Sequence, residues 1–282
     1  MKYLFNHSKE VMSMICRSGQ IMLLMDYDGT LTPIVDRPEY ACLGEETRRM
    51  LQEIAGQPRL IAGIISGRSL ADLKSKVGVE GLIYAGNHGF EIESPHFKYI
   101  HPAAKAARPV LALIRNFLVK ATGHIRGALL EDKGLTLSLH YRLVGEEDLP
   151  GLKEIMHRAV AGAVTRGLVK ITFGKKVYEF RPAVRWDKGK AVRFLMKSYQ
   201  KGGRQSGLLV VYLGDDTTDE DAFRVVRRYG HGLSVHVGGD RHDSAAEYCV
   251  KSVGEALLFL KDIQRCLRDN LDQTGRMLCQ KD

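Results

Sequence analysis

The chain has 282 residues, 44% hydrophobic, 7% aromatic and 27% charged, with a formal net charge of +9. These are globular values, and they exclude a disordered chain, a collagen and a coiled-coil rod. The apolar runs Ile21–Met25 and Ile61–Ile65 are strand-sized, far short of the ~20 residues that span a membrane.

The first third alternates strands and helices. Ile21–Asp26 is an apolar run ending in an acid, the profile of a buried parallel strand. Glu45–Ala55 has helical spacing, with Met50, Leu51 and Ile54 on one side. Leu60–Ile65 reads as a second buried strand, followed by Ser66-Gly67-Arg68-Ser69. Ser69 suits the cap of a helix over Leu70–Val77, with Asp72 three positions on. Leu82–Ala85 reads as a third strand, ending at Gly86-Asn87-His88-Gly89. Short strands separated by helices predict parallel βαβ units, in which ligands bind beyond the carboxyl ends of the strands.

The middle differs. Pro109–Ala121 and Leu149–Arg166 read as helices. Ala128–Arg142 alternates, with Leu135, Leu137 and Leu139 facing one way and Thr136, Ser138 and His140 the other. Val169–Thr172 and Lys176–Arg181 read as strands around a turn at Gly174. This pattern predicts an inserted α+β unit with an antiparallel sheet. From His101 to Arg185 there are 15 lysines and arginines against seven acids. A locally basic segment attracts phosphate, but no finger spacing or aromatic–basic motif marks a nucleic-acid binder.

The first pattern then returns. Lys188–Gln200 reads as a helix, Leu208–Leu213 as a buried strand, Asp219–Tyr229 as a helix, Gly232–Val237 as a strand and Val253–Leu260 as a last helix. The expected division is 1–101 core, 102–183 insertion, 184–265 core and 266–282 a polar, mobile tail. Five cysteines, widely spread and without a CxxC, predict free thiols in a reducing, cytoplasmic setting. No leader and no membrane association are expected.

Chemistry concentrates at two acidic clusters. Asp26-Tyr27-Asp28-Gly29-Thr30 follows the first apolar strand, and Gly214-Asp215-Asp216-Thr217-Thr218-Asp219-Glu220-Asp221 follows a later one. Either alone is a turn or an acid-rich helix start. Acids gathered at one sheet edge repel unless a cation sits among them, and hard oxygen ligands suit Mg²⁺. Together the clusters predict a magnesium site that holds a phosphate. Ser66-Gly67-Arg68 lies where a strand enters a helix, a place that binds anions. Lys188 stands just ahead of a helix and suits charge neutralisation of a phosphate.

This set resembles the haloacid dehalogenase-like phosphatases through the DxDGT of Asp26–Thr30, Ser66, Lys188 and the GDDxTDED of Gly214–Asp221. DYDGTLTPI, SGRS, the GNHG loop and GDDTTDEDAF narrow the resemblance to the trehalose-6-phosphate phosphatase family, from about Leu23 to Leu260. The resemblance implies a Rossmann-like α/β core with a parallel sheet and an inserted α+β cap domain. It implies a stand-alone, monomeric, cytoplasmic, Mg²⁺-dependent phosphatase of trehalose biosynthesis that acts on a small sugar phosphate and binds neither nucleic acid nor membrane. Asp26 would be the nucleophile, forming an aspartyl-phosphate, and Asp28 the general acid and base. Mg²⁺ would be held by the Asp26 carboxylate, the Asp28 carbonyl and Asp215, with Asp216 or Asp219 orienting its waters. Ser66 and Lys188 would hold the phosphoryl oxygens. The implied substrate-binding set is Thr30, Gly67, Arg68, His88 and, on the cap, Glu131, Lys133, His140, Arg142, Lys175 and Glu179. The alternatives are another sugar phosphate, such as glycosyl-3-phosphoglycerate or sucrose phosphate, and a non-catalytic binding protein on the same fold.

Overall fold

The structure is a computed structural model; it describes residues 1–35, 37–174, 176–200, 207–239 and 241–278, with side chains described up to residue 268. The chain forms two compact units, Met1–Lys98 with Asp187–Asp282, and Tyr99–Trp186.

The larger unit begins with β1 (Lys2–Tyr3), α1 (Ser8–Arg17), β2 (Gln20–Met25), α2 (Glu45–Ala55), β3 (Leu60–Ile65), α3 (Leu70–Val77), β4 (Ile83–Gly86) and β5 (Glu91–Glu93), and the chain leaves it through β6 (Lys98–Ile100). The second unit holds α4 (Pro102–Thr122), β7 (Leu129–Asp132), β8 (Leu137–His140), α5 (Leu149–Thr165), β9 (Val169–Gly174) and β10 (Val177–Pro182). The chain returns with α6 (Lys188–Tyr199), β11 (Leu208–Gly214), α7 (Glu220–Tyr229), β12 (Gly232–Val237), β13 (Tyr248–Val250) and α8 (Val253–Leu278).

Among the described residues the main sheet runs β1-β13-β12-β11-β2-β3-β4-β5-β6. Every pair from β1 to β4 is parallel, and β4–β5 is antiparallel. The central strands carry apolar side chains on both faces because helices cover both, so β2 and β11 are buried almost throughout. The strand order reverses between β2 and β11, and a crevice opens at such a switch point beyond the carboxyl ends. Asp26 sits there, its N–H bonded to the Leu213 carbonyl at 2.9 Å. Ser69 caps α3 as expected, accepting the Asp72 N–H at 3.2 Å.

The second unit is a four-stranded antiparallel sheet, β7-β8-β10-β9, whose apolar face packs on α4 and α5. The alternation over Ala128–Arg142 is a hairpin rather than one strand. Gly134 turns it at φ +76°, a left-handed conformation that glycine adopts without strain.

Two expectations are corrected. Residues from 266 onward do not begin a tail: α8 continues to Leu278. Ala256, Phe259, Leu260, Ile263 and Leu267 form one apolar stripe in the core, which runs on past Leu260, the expected end of the helix. Nor are all the thiols free. Cys16 on α1 and Cys266 on α8 are disulfide-bonded, with Cα atoms 6.1 Å apart, because the two helices pack side by side. A separation of 250 residues hides such a pair in the sequence. No helix among the described residues is long and apolar enough to cross a membrane.

If α8 is docked as described, Ile263→Ala removes a side chain with no solvent exposure. Urea unfolding of that variant should show a loss of about 2–5 kcal/mol. A loss below about 0.5 kcal/mol, as at a surface position, would show that the helix does not belong to the core.

Candidate active site

The ends of β2, β3 and β11 and the start of α6 build one site in the larger unit. Asp26 leaves β2 only 5% exposed. Lys188, the first residue of α6, is 2% exposed and places Nζ 3.0 Å from Asp26 Oδ2 and 2.8 Å from Asp219 Oδ1. Asp219 is wholly buried, and its Oδ1 also accepts the Tyr212 hydroxyl at 2.6 Å. Its Oδ2 accepts the N–H groups of Asp215 and Asp216, both at 3.1 Å. A carboxylate offers about four acceptor positions, so the protein itself fills those of Asp219.

Asp216 gathers its donors on Oδ1: the Thr218 N–H at 2.8 Å, the Thr218 hydroxyl at 2.7 Å and the Asp219 N–H at 3.3 Å. Asp215 accepts the Thr30 hydroxyl at 3.4 Å and lies against Gly29. Gly29 has φ +80°, and a Cβ there would strike the Asp215 carboxylate, so both conformation and space require glycine. Asp26, Asp216 and Asp219 offer carboxylate oxygens all within 4.8 Å of one another.

Charge crowding shows in the proton affinities. Burial pushes Asp26 well above the usual carboxylate range; Lys188 opposes this, and the neighbouring acids Asp219, Asp216 and Asp215 add to it. Burial, with Asp219 and Asp216 beside it, raises Asp215 to about 7. Burial also works against the Asp216 anion, but Lys188 and the Thr218 hydrogen bonds outweigh it and hold the group at about 2. Burial would lower Lys188, yet Asp219 and Asp26 more than compensate and keep it charged. Four acids facing one lysine leave surplus negative charge, and hard carboxylate oxygens at this spacing fit a divalent cation.

Ser66 lies just beyond β3, its N–H on the Ala85 carbonyl at 2.9 Å, and its Oγ accepts the Arg68 N–H at 3.2 Å. The Ser66–Arg68 loop is locked to the Gly86–Gly89 loop by Asn87 N–H to Arg68 O at 2.7 Å and His88 N–H to Ser66 O at 2.8 Å. His88 adopts φ +57° and lies against Gly67, where a Cβ would come within 2.9 Å of the imidazole.

Arg68 differs from expectation. It is 7% exposed and grips the Asp28 carboxylate with Nε and Nη2, both at 2.7 Å. Nη1 holds Asp72 at 2.7 Å and Nη2 also reaches the Pro38 carbonyl at 2.9 Å. In this structure its fork is committed inside the protein, to Asp28, Asp72 and the Pro38 carbonyl.

The second unit assembles its own polar face. The register aligns Glu131, Ser138, Glu179 and Thr172 in one row across four strands. His140 Nε2 lies 3.0 Å from Glu131 Oε2, and Lys133 Nζ is 3.7 Å from both Glu131 and Glu179. Arg142 is exposed just after β8, and Lys175 lies outside the described residues. Tyr212 and Thr218 were not foreseen. Tyr212 sits inside an apolar strand and reads as core, and nothing in the spacing marks its hydroxyl.

A buried acid raised to about 7 stabilises the fold in its protonated form. The contribution of Asp215 is full below the unfolded value near 3.8 and is lost as pH rises through about 7. With divalent ions chelated, Asp215→Asn should therefore gain stability relative to the parent on going from pH 4.5 to 8, read as melting temperature. An advantage that shrinks over that range would contradict the assignment.

A family profile described as trehalose-phosphatase matches residues 24–253. Trehalose-phosphate phosphatase B of Arabidopsis thaliana is 36% identical over 255 residues, covering 87% of this chain. The chain spans 66% of that relative's length, just under two thirds. The solved trehalose-6-phosphate phosphatase of Aspergillus fumigatus superposes with TM-score 0.63 at 27% identity, covering 91% of this chain and 97% of that one. A haloacid dehalogenase-like hydrolase from Bacteroides thetaiotaomicron shares the fold, with TM-score 0.58 at 17% identity over 87% of this chain and 99% of that one. On the match of the family profile over residues 24–253, the chain belongs to the trehalose-phosphatase family.

Proposed function

We propose that this protein is a Mg²⁺-dependent phosphatase that hydrolyses trehalose 6-phosphate to trehalose and phosphate through a phosphorylated Asp26. The observation that carries the reading is the buried Asp26–Lys188 contact of 3.0 Å at the switch point of the sheet, with Asp216 and Asp219 beside it. The sugar is argued from the trehalose-phosphatase family and its trehalose-6-phosphate phosphatase relatives.

An Asp26 carboxylate oxygen attacks phosphorus while the bond from phosphorus to the sugar oxygen breaks. Asp28 gives its proton to that oxygen, releasing trehalose. Asp28 then takes a proton from water, the water oxygen attacks phosphorus, and Asp26 leaves as a carboxylate. Splitting one difficult displacement into two easier ones is the gain of covalent catalysis. A protonated carboxyl has less acceptor capacity for the Arg68 fork, so proton uptake by Asp28 and loosening of that fork go together. Lys188 and Ser66 hold the phosphoryl oxygens, where the charge of the transition state spreads and preorganised donors matter most.

The carboxylate oxygens of Asp26, Asp216 and Asp219, all within 4.8 Å of one another, fit Mg²⁺; by the family resemblance it would be held by Asp26, the Asp28 carbonyl and Asp215, with Asp216 turned to its waters. When bound, the ion neutralises charge on the phosphoryl oxygens. Asp219, filled by its own donors, serves the loop and Lys188 instead. Glu131, Lys133, His140 and Glu179 bind sugar hydroxyls. A buried polar group left unpaired by a wrong sugar costs about 1–3 kcal/mol, enough to discriminate.

The test is phosphate release from trehalose 6-phosphate, sucrose phosphate and a glycosyl phosphoglycerate, with Mg²⁺ and with chelator. The preferred substrate should be trehalose 6-phosphate, chelation should abolish turnover, and Asp26→Asn should lower kcat by roughly 10⁴-fold or more. Preference for another sugar phosphate would replace the substrate, and an unimpaired Asp26→Asn would remove the nucleophile.

A further inference from the structure

Side chains of β11 alternate between two layers. Leu209, Val211 and Leu213 enter the main core, and Tyr212 points to the other face, among α6 and α7. Tyr212 has no solvent exposure, and Phe223 of α7 meets its ring edge-on with centroids 5.7 Å apart. Strand and ring packing together fix where its hydroxyl sits. That hydroxyl donates to Asp219 Oδ1 at 2.6 Å, a charge-assisted hydrogen bond between two groups with no solvent exposure.

The same oxygen accepts Lys188 Nζ at 2.8 Å, and Lys188 in turn stands 3.0 Å from Asp26. Lys188 is thus shared between two carboxylates, and how it divides itself depends on how much of the Asp219 charge other donors already take up. Backbone N–H groups occupy Oδ2, and the Tyr212 hydroxyl is the further donor on Oδ1. Asp219 has little room to adjust: a Cβ at Gly214 would collide with its carboxylate.

We propose that Tyr212 is a positioning residue for the phosphoryl-transfer step: its hydroxyl, by occupying one acceptor site of Asp219, keeps Lys188 shared between Asp219 and Asp26 instead of committed to Asp219 alone, and so holds the ammonium toward Asp26 and the phosphoryl oxygens. The proposal rests on the reading of Lys188 as a phosphoryl-binding group. Without the hydroxyl, Lys188 becomes the one side-chain donor left to Oδ1 among the contacts described and moves away from Asp26.

Tyr212→Phe tests this, since it keeps the ring against Phe223 and removes only the donor. A charged hydrogen bond of this kind corresponds to roughly a 10-fold to 100-fold effect. The expected result is a fall in kcat for trehalose 6-phosphate of about 10-fold or more. KM should stay close to the parent's, and orthovanadate with Mg²⁺, a phosphoryl mimic, should bind more weakly by calorimetry to a similar degree. A folded Tyr212→Phe with parental kcat and parental vanadate affinity overturns the proposal, because ring packing would then be all that Tyr212 contributes. If the variant loses its cooperative melt, 3,5-difluorotyrosine at position 212 carries the test. It keeps the packing and strengthens the donor, so altered vanadate affinity supports the proposal and unchanged affinity overturns it. Should the parent protein release no phosphate from trehalose 6-phosphate, the substrate reading fails separately, and vanadate binding still decides the role of Tyr212.

Discussion

A single ammonium group, buried to 2% exposure between Asp26 and Asp219, sets the terms for the rest of this molecule. Removing a lysine and two carboxylates from water is costly, and attraction repays that cost only if every remaining donor and acceptor is matched. The matching accounts for much of the local architecture. Asp187 caps α6 by accepting the Lys190 N–H at 2.8 Å, so the helix starts where Lys188 must stand. The loop after β11 folds its own N–H groups onto Asp219, and β11 supplies the Tyr212 hydroxyl. The pair is matched at Lys188, yet the site as a whole stays acidic. That imbalance is what a divalent cation and a phosphoryl group would together resolve.

Around this centre the loops leave little slack. A Cβ on Gly86 would run into the backbone of Leu70, so the loop after β4 can lie directly on the start of α3. Asn87 and His88 take left-handed conformations there, and Asn87 Nδ2 reaches Glu91 Oε1 at 2.8 Å. The same Glu91 oxygen accepts the Leu70 N–H at 2.9 Å. Such over-determined contacts keep Ser66 and Gly67 in place before any ligand arrives. Arg68, stacked 5.3 Å from the Tyr27 ring centroid, extends this order to Asp28.

Much of the core was legible in the sequence because buried parallel strands are continuous apolar runs: Ile21–Met25, Leu60–Ile65 and Leu208–Leu213 all correspond to strands. The polar groups at their ends, acids after β2 and β11 and Ser66 after β3, were legible for the same reason, as abrupt polarity after an apolar run. What stayed hidden has no local signal. The edge strand β1 and its neighbour β13, of two and three residues, are too short for periodicity to show. The Cys16–Cys266 pairing and the Arg68–Asp28 fork depend on tertiary neighbours. Nothing in the residues next to Arg68 shows that Asp28, Asp72 and the Pro38 carbonyl take its donors. Glu131, Ser138, Glu179 and Thr172 form a row only through strand register, which periodicity could not align; of the four, the resemblance named Glu131 and Glu179.

The most direct measurement of the central claim is a rapid acid quench of the enzyme with trehalose 6-phosphate and Mg²⁺, followed by peptide mass spectrometry. The account predicts one added phosphoryl group on the peptide that contains Asp26, labile to base and absent when trehalose 6-phosphate is omitted. Label on the peptide carrying Ser66 instead, or turnover with no phosphorylated peptide at any quench time, would contradict it.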